Sequence, residues 1–394
     1  MKYYNDGKIV VKSWCNNPEP KAIEQATNLA NLPFAFRHIA LMPDTHEGYG
    51  MPIGGVLATK NVIVPNAVGV DIGCGMCALQ TKIKKEDVDE KDLKAILGRI
   101  RSTVPVGFNH QSKKQDVKYM PSVDMPEFKD LDTFIIGREY EKARSQIGTL
   151  GGGNHFLEIQ VDSEGFIWIM IHSGSRNLGK QVADYYNEEA KKLNERYYSS
   201  VDPKLDLAFL SLEDSIGWKY VQEMQYCVDF ALANRKLMME RVKEAFFDVL
   251  HEFPTDNYDI NIAHNYVKIE HHFNTNVWVH RKGATAAWEN TIGIIPGSQG
   301  SSSYIVKGKG NSESFKSCSH GAGRKMGRKA AQKNLNLEEE KKKLDDKGIL
   351  HSIRGVDDLD EASGAYKDID VVMEEQNDLV DILYKLEPIA VIKG

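Results

Sequence analysis

Apolar residues recur along this chain with two different periods. Every third or fourth position is apolar over 18–32, 88–101, 178–197, 216–251, 324–344 and 369–386, which predicts amphipathic helices there. Short runs rich in β-branched and aromatic residues predict strands over 37–42, 56–64, 156–161, 166–172, 266–273, 277–280 and 303–306. The two kinds of segment are interspersed, so the expected fold class is mixed α+β. No Pro/Gly/Ser-rich linker and no repeat at solenoid or propeller spacing interrupts them. The segment 109–129, with Lys113, Lys114 and Lys118 among prolines, reads as a surface loop.

Residues able to ligate metal or phosphate are gathered into six short islands between these elements. They are Pro43-Asp44-Thr45-His46, Asp71-Ile72-Gly73-Cys74, Asn154-His155-Phe156-Leu157-Glu158, His172-Ser173-Gly174-Ser175-Arg176, His264-Asn265 and His320-Gly321-Ala322-Gly323-Arg324. Strand ends and turns are where a rigid scaffold presents functional groups. Because the islands run from residue 44 to residue 324, one site would draw on almost the entire chain, and a single large domain over 1–394 is expected. A thiolate candidate, carboxylates and imidazoles form a mixed N/O/S ligand set that suits Mn²⁺, Zn²⁺ or Fe²⁺ better than Mg²⁺ or Ca²⁺. Metal-assisted phosphate chemistry is the expectation.

Composition narrows the setting. With 41% apolar and 27% charged residues over 394 positions, the chain reads as soluble and globular, with material for a large core. Five scattered cysteines do not outline a disulfide framework, and the N-terminus lacks a basic region followed by an apolar one; no apolar run reaches membrane-spanning length. A reducing, cytoplasmic location without membrane contact is expected. The formal charge of −6 means that any RNA contact must come from a local basic surface, expected around Arg281-Lys282 and from Arg324 to Lys329.

Taken singly, each candidate has a structural alternative. Asp71 and Cys74, three apart in a turn eased by Gly73 and Gly75, can aim oxygen and sulfur at one point, or form a plain turn with a buried thiol. Cys74 and Cys77 mimic a redox CxxC, but no thioredoxin-like helix start follows, and Cys77 is expected in the core. His155, after three consecutive glycines, and likewise His172 and His264, are ligands or hydrogen-bonding histidines. The loop Pro296-Gly297-Ser298-Gln299, with Ser303 beyond it, offers donors to a phosphate or is a flexible surface turn. His320 is a phosphoryl-accepting nucleophile or a cap, with Arg324 as an anion clamp on a helix start. The run of Glu338 to Lys343 is a self-paired solvated face. No P-loop, no dinucleotide-binding GxGxxG and no Lys-x-Asp-Gly nucleophile is present.

Jointly, these residues resemble over the full chain the RtcB family of RNA-splicing ligases. The resemblance rests on Met42-Pro43-Asp44-Thr45-His46-Glu47-Gly48, Val68-Gly69-Val70-Asp71-Ile72-Gly73-Cys74, the Gly-rich approach to Asn154-His155-Phe156, His172 to Arg176, His264-Asn265, Pro296-Gly297-Ser298, Ser319-His320-Gly321-Ala322-Gly323-Arg324, Ala365-Tyr366 and the terminal Lys393-Gly394. It implies that RNA 2′,3′-cyclic-phosphate or 3′-phosphate ends are joined to 5′-hydroxyl ends with GTP. It also implies two Mn²⁺ ions held by Asp71, Cys74, His155, His172 and His264, with the sulfur bridging, and a nucleophilic His320 oriented by Asp44. For the guanylate pocket it implies Asn154, His155, Phe156, Leu157, Glu158, His264, Asn265, Pro296, Gly297, Ser298, Gln299, Ser303, the turn from His320 through Gly321 and Ala322 to Gly323, and Lys393. Asn177 and Gln299 depart from the family's usual glycine and methionine and bear on loop geometry and nucleotide affinity alone. The competing readings are a metal-dependent phosphatase or nuclease with water as nucleophile, and an idle RNA-binding module.

Overall fold

The computed structural model describes residues 1–123, 131–252, 254 and 258–394. Two large sheets organise it. One has six strands in the order Lys2–Tyr4, Val10–Ser13, Ala35–His46, Ile53–Thr59, Thr275–Lys282 and Asn265–His272. The other has seven, in the order Asp259–Ala263, Gly75–Lys84, Phe166–Ser173, Phe156–Val161, Val380–Lys393, Ser303–Gly308 and Ile292–Ile295. Neighbouring strands are antiparallel except Val10–Ser13 beside Ala35–His46. With helices against the sheets, this is the mixed α/β architecture that the two periods predicted.

Period-two alternation in the seven-stranded sheet separates core from site. Leu157, Ile159, Ile167, Ile169 and Ile171 point to one face, where they pack on Leu93, Ile96, Leu97 and Ile100 of helix Glu90–Thr103 and on Met238, Met239, Val242 and Phe246 of helix Ser215–Leu250. Phe156, Trp168 and Met170 point to the other face, so Glu158 and His172 share their side. Register then assembles the site: Phe156 lies opposite His172 on one neighbour and opposite Lys393 on the other. A one-residue slip would carry these groups into the apolar core, which is why the register is strongly specified.

The helix Ser215–Leu250, 36 residues long, buries an adjacent polar pair, Asn234 and Arg235, midway along its packed face. Arg235 donates from Nη1 to the carbonyls of Ser173 (2.7 Å) and Gly73 (3.1 Å) and from Nη2 to that of Ile262 (3.2 Å). Asn234 accepts from the amides of Gly148 (2.7 Å) and Thr149 (3.1 Å) and donates to Gly174 O (3.2 Å). Four site-bearing segments are thus fixed from behind by two adjacent residues. Each hydrogen bond satisfies a buried backbone group that would otherwise be costly.

Three expectations need correction. The helix expected over 324–344 is two helices, Arg328–Asn334 and Leu337–Asp345, because the Asn336 side chain accepts from the amides of Glu338 (2.9 Å) and Glu339 (3.2 Å) and starts a new helix. Arg324 precedes both, so it is not at a helix N-terminus. The helix expected over 369–386 ends at Glu374, and Val380–Lys393 is a strand paired on both sides. The strand expected over 56–64 breaks at Asn61, which turns with φ 55°. Strand Gly75–Lys84 and helix Ile135–Gln146 were not anticipated. Of the expected loop 109–129, residues 109–123 contain only the single turn Val117–Tyr119, and 124–129 lie outside the described residues. Among the described residues, no helix is long and apolar enough to cross a membrane.

Candidate active site

The six islands meet in one cleft of about 1000 Å³. All the expected site residues line it except Asp44, Leu157 and Ser303. Asp44 is fully buried beneath His320, and Ser303 stands behind Glu158 through Gln160. The Leu157 side chain lies among the helix-packed residues of the opposite sheet face, so it has no direct place in the cleft.

Five donors converge at one end. Cys74 Sγ lies 3.3 Å from His172 Nε2 and 3.4 Å from His155 Nε2, and Asp71 Oδ2 lies 3.1 Å from His155 Nε2. They form two overlapping sets, Cys74/His172/His264 and Asp71/Cys74/His155, each with its donor atoms within 4.8 Å of one another. Cys74 belongs to both. The approach depends on glycine: a Cβ on Gly174 would stand 2.2 Å from Asp71 Oδ1, and one on Gly151, at φ +99°, would stand 2.4 Å from His155 Nδ1. Asn265 braces the same turn, donating to Asp71 O (3.0 Å) and accepting from Gly283 N (2.7 Å).

The electrostatics of this cluster are those of a cation site. Burial first, and then the Asp71 charge, push the Cys74 thiol well above its ordinary value. Burial, followed by the neighbouring cationic groups, holds His172 and His264 well below theirs, so both are neutral and free to ligate. Burial raises Asp71, but the His155 hydrogen bond and charge, together with Cys74 and Arg176, outweigh it and the carboxyl is held below its ordinary value. His264 Nδ1 is buried with no hydrogen-bond partner. A soft sulfur, imidazole nitrogens and one half-buried carboxylate fit a transition ion and give it a reason to bind.

Beside this cluster, His320 lies with its ring centroid 4.7 Å from that of His264. Asp44 Oδ2 accepts from His320 Nδ1 at 2.6 Å and from the amides of His320 (3.0 Å) and Gly321 (3.3 Å). Burial raises the Asp44 carboxyl, yet His320 more than compensates and holds it below its ordinary value. An ionised Asp44 therefore fixes the proton on Nδ1 and leaves the lone pair on Nε2.

The remaining wall is a network of charges. Glu158 accepts from Gln160 Nε2 (2.6 Å), which also donates to Ser303 Oγ (3.0 Å); Ser303 Oγ accepts from Gly297 N (3.2 Å). Burial pushes the Glu158 carboxyl up to about 7 despite Gln160 and Lys393. Ser298 N donates to Ser301 Oγ (2.6 Å), and Gln299 Nε2 donates to Glu361 O (3.1 Å). Glu361 is the hub. Its carboxylate meets Arg324 Nη1 at 3.1 Å, Arg328 Nε at 3.0 Å and Lys393 Nζ at 4.0 Å, and accepts from the Tyr366 hydroxyl. Arg324 also donates to Met326 O (3.1 Å), so it is held in place by its own chain.

Sequence reasoning missed several of these groups. Glu361 sits in the acidic run from Asp357, where nothing distinguishes it from a solvated charge. Asn234 and Arg235 did leave a signal, as polar residues inside an apolar helix. Lys282 also lines the cleft, buried, with Nζ donating to the carbonyls of Tyr49 (2.5 Å) and Asn66 (3.0 Å), and burial lowers it to about 7. This corrects the expected RNA surface. Arg281 is fully buried and paired with Glu270 at 2.5 Å, so it is not on a face that RNA could meet, and Lys282 is buried with its ammonium turned onto backbone carbonyls; Arg328 and Lys329 are exposed. Cys77 packs among Leu79, Ile171 and Met238, as expected.

Comparison with known proteins agrees with this geometry. Residues 25–394 match the family model described as tRNA-splicing ligase RtcB. The RNA-splicing ligase RtcB of Escherichia coli strain K12 is 38% identical, over 98% of this chain and 97% of that protein. The tRNA-splicing ligase RtcB of Thermococcus kodakarensis is 31% identical over 100% and 94%, and that of Methanococcus maripaludis 34% identical over 96% and 92%. The chain belongs to the RtcB family and is an RNA ligase.

Proposed function

We propose that this member of the RtcB family joins RNA 2′,3′-cyclic-phosphate or 3′-phosphate ends to 5′-hydroxyl ends with GTP, in RNA repair or tRNA splicing, through a guanylylated His320. The observation that carries the reading is the 2.6 Å contact between His320 Nδ1 and buried Asp44, next to a convergent His/Cys/Asp set. With Nδ1–H donated to Asp44, His320 Nε2 attacks the α-phosphorus of GTP; the P–N bond forms, pyrophosphate leaves, and Asp44 steadies the imidazole as it gains charge. An oxygen of the RNA 3′-phosphate, freed from any cyclic form by water, then attacks the same phosphorus and releases the histidine. The 5′-hydroxyl finally attacks the RNA phosphorus, and GMP departs as the phosphodiester forms.

Asp71, Cys74, His155, His172 and His264 would hold two Mn²⁺ ions, which would neutralise phosphate charge and polarise phosphorus. Glu158 accepts from the donor edge of guanine, and Lys393 and Ser303 complete that pocket with Asn154, Phe156, Asn265 and the turn of Pro296, Gly297, Ser298 and Gln299. Gly321, Ala322 and Gly323 let the nucleotide approach His320. Arg324, held by Glu361, steadies a phosphate. The five free, buried cysteines suit a reducing cytoplasm.

The test is incubation with GTP labelled at the α-phosphate. The parent chain is expected to retain a covalent GMP adduct, and His320→Ala to lose it while keeping its metal content, since the imidazole is assigned to phosphorus and not to the ions. Undiminished adduct in His320→Ala would sink the mechanism. Phosphate or nucleoside release without any adduct would favour a hydrolase.

A further inference from the structure

The cleft carries one aromatic ring that none of these steps uses. Phe108 is 99% exposed and lines the cleft; of the exposed large apolar side chains among the described residues, only Phe108 and Val70 do so. Leaving a whole phenyl ring in water forgoes the burial that such a side chain normally gains. Yet the backbone beneath it is closely held. Gly107 N donates to Gly151 O (2.8 Å), Arg176 Nη2 donates to Gly107 O (2.9 Å), and Val106 forms a parallel bridge with Gly151. On the far side, Gln111 N donates to Ser145 O (2.8 Å) and its Nε2 to Gly148 O (3.0 Å). The ring is thus presented from a loop tied twice to the glycine segment that carries His155.

The surroundings are cationic and polar. The Arg328 guanidinium packs on Gly153, where a Cβ would stand 2.7 Å from Nη2, and Arg176 packs on Gly151 in the same way at 2.1 Å. A lone ring in a cleft also lined by the Arg176 and Arg328 guanidinium groups does not form the contiguous apolar patch that a protein partner or a membrane would need. It does match an unpaired nucleobase, which stacks on an aromatic face while its phosphates meet cations. Stacking reads no sequence, which suits an enzyme that must join ends of any composition.

We propose that Phe108 is a stacking platform for an unpaired base of the RNA next to the ligation point. The guanine of GTP is the other base in reach, but of the groups assigned to it Glu158 is buried and Lys393 only 18% exposed, whereas Phe108 stands in solvent.

The inference rests on the RNA-ligase reading, and its test separates the two. Full-length Phe108→Ala, Phe108→Leu and Phe108→Trp variants are loaded with α-labelled GTP and then given RNA. All three should form the GMP adduct at the parent rate. The Ala and Leu variants should raise KM for RNA between about 5-fold and 150-fold at unchanged kcat, the range that losing one stacked base implies, and Trp should restore it. An abasic residue at the end of the 3′-phosphate strand in one arm, or of the 5′-hydroxyl strand in the other, identifies the base. In the correct arm the abasic loss and the Phe108→Ala loss should not add. Parent-like KM in Phe108→Ala, additive losses in both arms, or a defect expressed as slower adduct formation would each overturn it. If the parent chain made no adduct, the GTP step would fail instead, and quenching of 2-aminopurine in bound RNA would still decide whether Phe108 stacks.

Discussion

Two regions of one cleft handle charge in opposite ways. Where the strand ends meet, Asp71, Cys74, His155, His172 and His264 bring lone pairs together, and burial disfavours the thiolate that would complete the set. Around Glu361, by contrast, three cations, Arg324, Arg328 and Lys393, gather on one carboxylate that holds them in place. The first region is a candidate cation site, a set of acceptors whose stability a bound cation would raise, because ligands must be deprotonated and held together. The second is only partly compensated within the chain, so its cations are positioned, with positive charge to spare, before any phosphate arrives. Cluster geometry alone would not separate them; the sign of the uncompensated charge does.

The largest expected effect breaks the first region. Cys74→Ala should strip most bound metal and abolish ligation, because its sulfur belongs to both donor sets. Cys77→Ala, three residues along and buried among apolar side chains, should keep its metal and lose only packing, roughly 1 kcal/mol. Elemental analysis with thermal unfolding checks the pair. Equal metal loss in both would mean that the sulfur assignment is wrong.

The second region breaks more gently. Glu361→Gln leaves three cations around a neutral amide, and its cost should fall at the lower end of the roughly 3–5 kcal/mol typical of a broken buried pair, since Arg328 is 53% exposed and screened by water. Metal content should be unchanged. Denaturant unfolding reads the first quantity and elemental analysis the second; loss of metal would show that the two regions are not separate.

The reach of the sequence follows the same division. Cys74, His172 and His264 were legible as candidates because residue types able to ligate metal are rare and each is followed here by a small or amide residue. Glu361 was not, because a carboxylate in an acidic run acquires meaning only when tertiary contacts gather Arg324, Arg328 and Lys393 around it. In the fold, Phe156–Val161 and Phe166–Ser173 were legible from residue type and Ser215–Leu250 from its long period. Residues 380–386, the first half of strand Val380–Lys393, read as helix because their short apolar stretches fit either period, and only the pairing on both sides decides for strand. Arg281 shows the converse error: a basic dipeptide suggests a surface, but the buried Glu270 partner lies elsewhere in the chain.

Glu158 sharpens the contrast, as a carboxyl without a close cation. A group whose folded value is raised from 4.5 to about 7 costs stability progressively as pH climbs between those values, because the unfolded chain ionises first. Glu158→Gln should therefore equal the parent near pH 4.5 and exceed it in thermal stability at pH 8. Affinity for GTP should behave in reverse. In the parent it should rise through pH 7 as the carboxylate becomes available to guanine, by about tenfold or more if a charge-assisted hydrogen bond forms, and the rise should vanish in Glu158→Gln. Titration of GTP binding at pH 6 and pH 8 checks this, and an unaltered pH profile in the variant would remove Glu158 from the guanine pocket.

The smallest effect concerns how a chain of charge −6 holds RNA. The outer edge of the Glu361 region ends in Arg328 and Lys329, at the start of helix Arg328–Asn334, whereas helix Leu337–Asp345 carries Lys341 and Lys343 paired with Glu338 (3.6 Å) and Glu340 (2.5 Å). A lysine neutralised by its own helix releases few counterions when RNA arrives, so it contributes little to salt-dependent binding. Replacing Arg328 or Lys329 by Ala should weaken binding uniformly across sequences and make the slope of log affinity against log salt shallower by about 0.7 per phosphate contact on single strands. Replacing Lys341 and Lys343 should leave the slope where it was. Arg328 carries the added cost of leaving part of the Glu361 charge unpaired, so Lys329 is the cleaner variant, and its slope should change without any change in thermal stability. If the Lys341 and Lys343 variants flattened the salt dependence while Arg328 and Lys329 did not, the RNA path would run over the self-paired helix, and the partly compensated region of the cleft would have no part in holding the substrate.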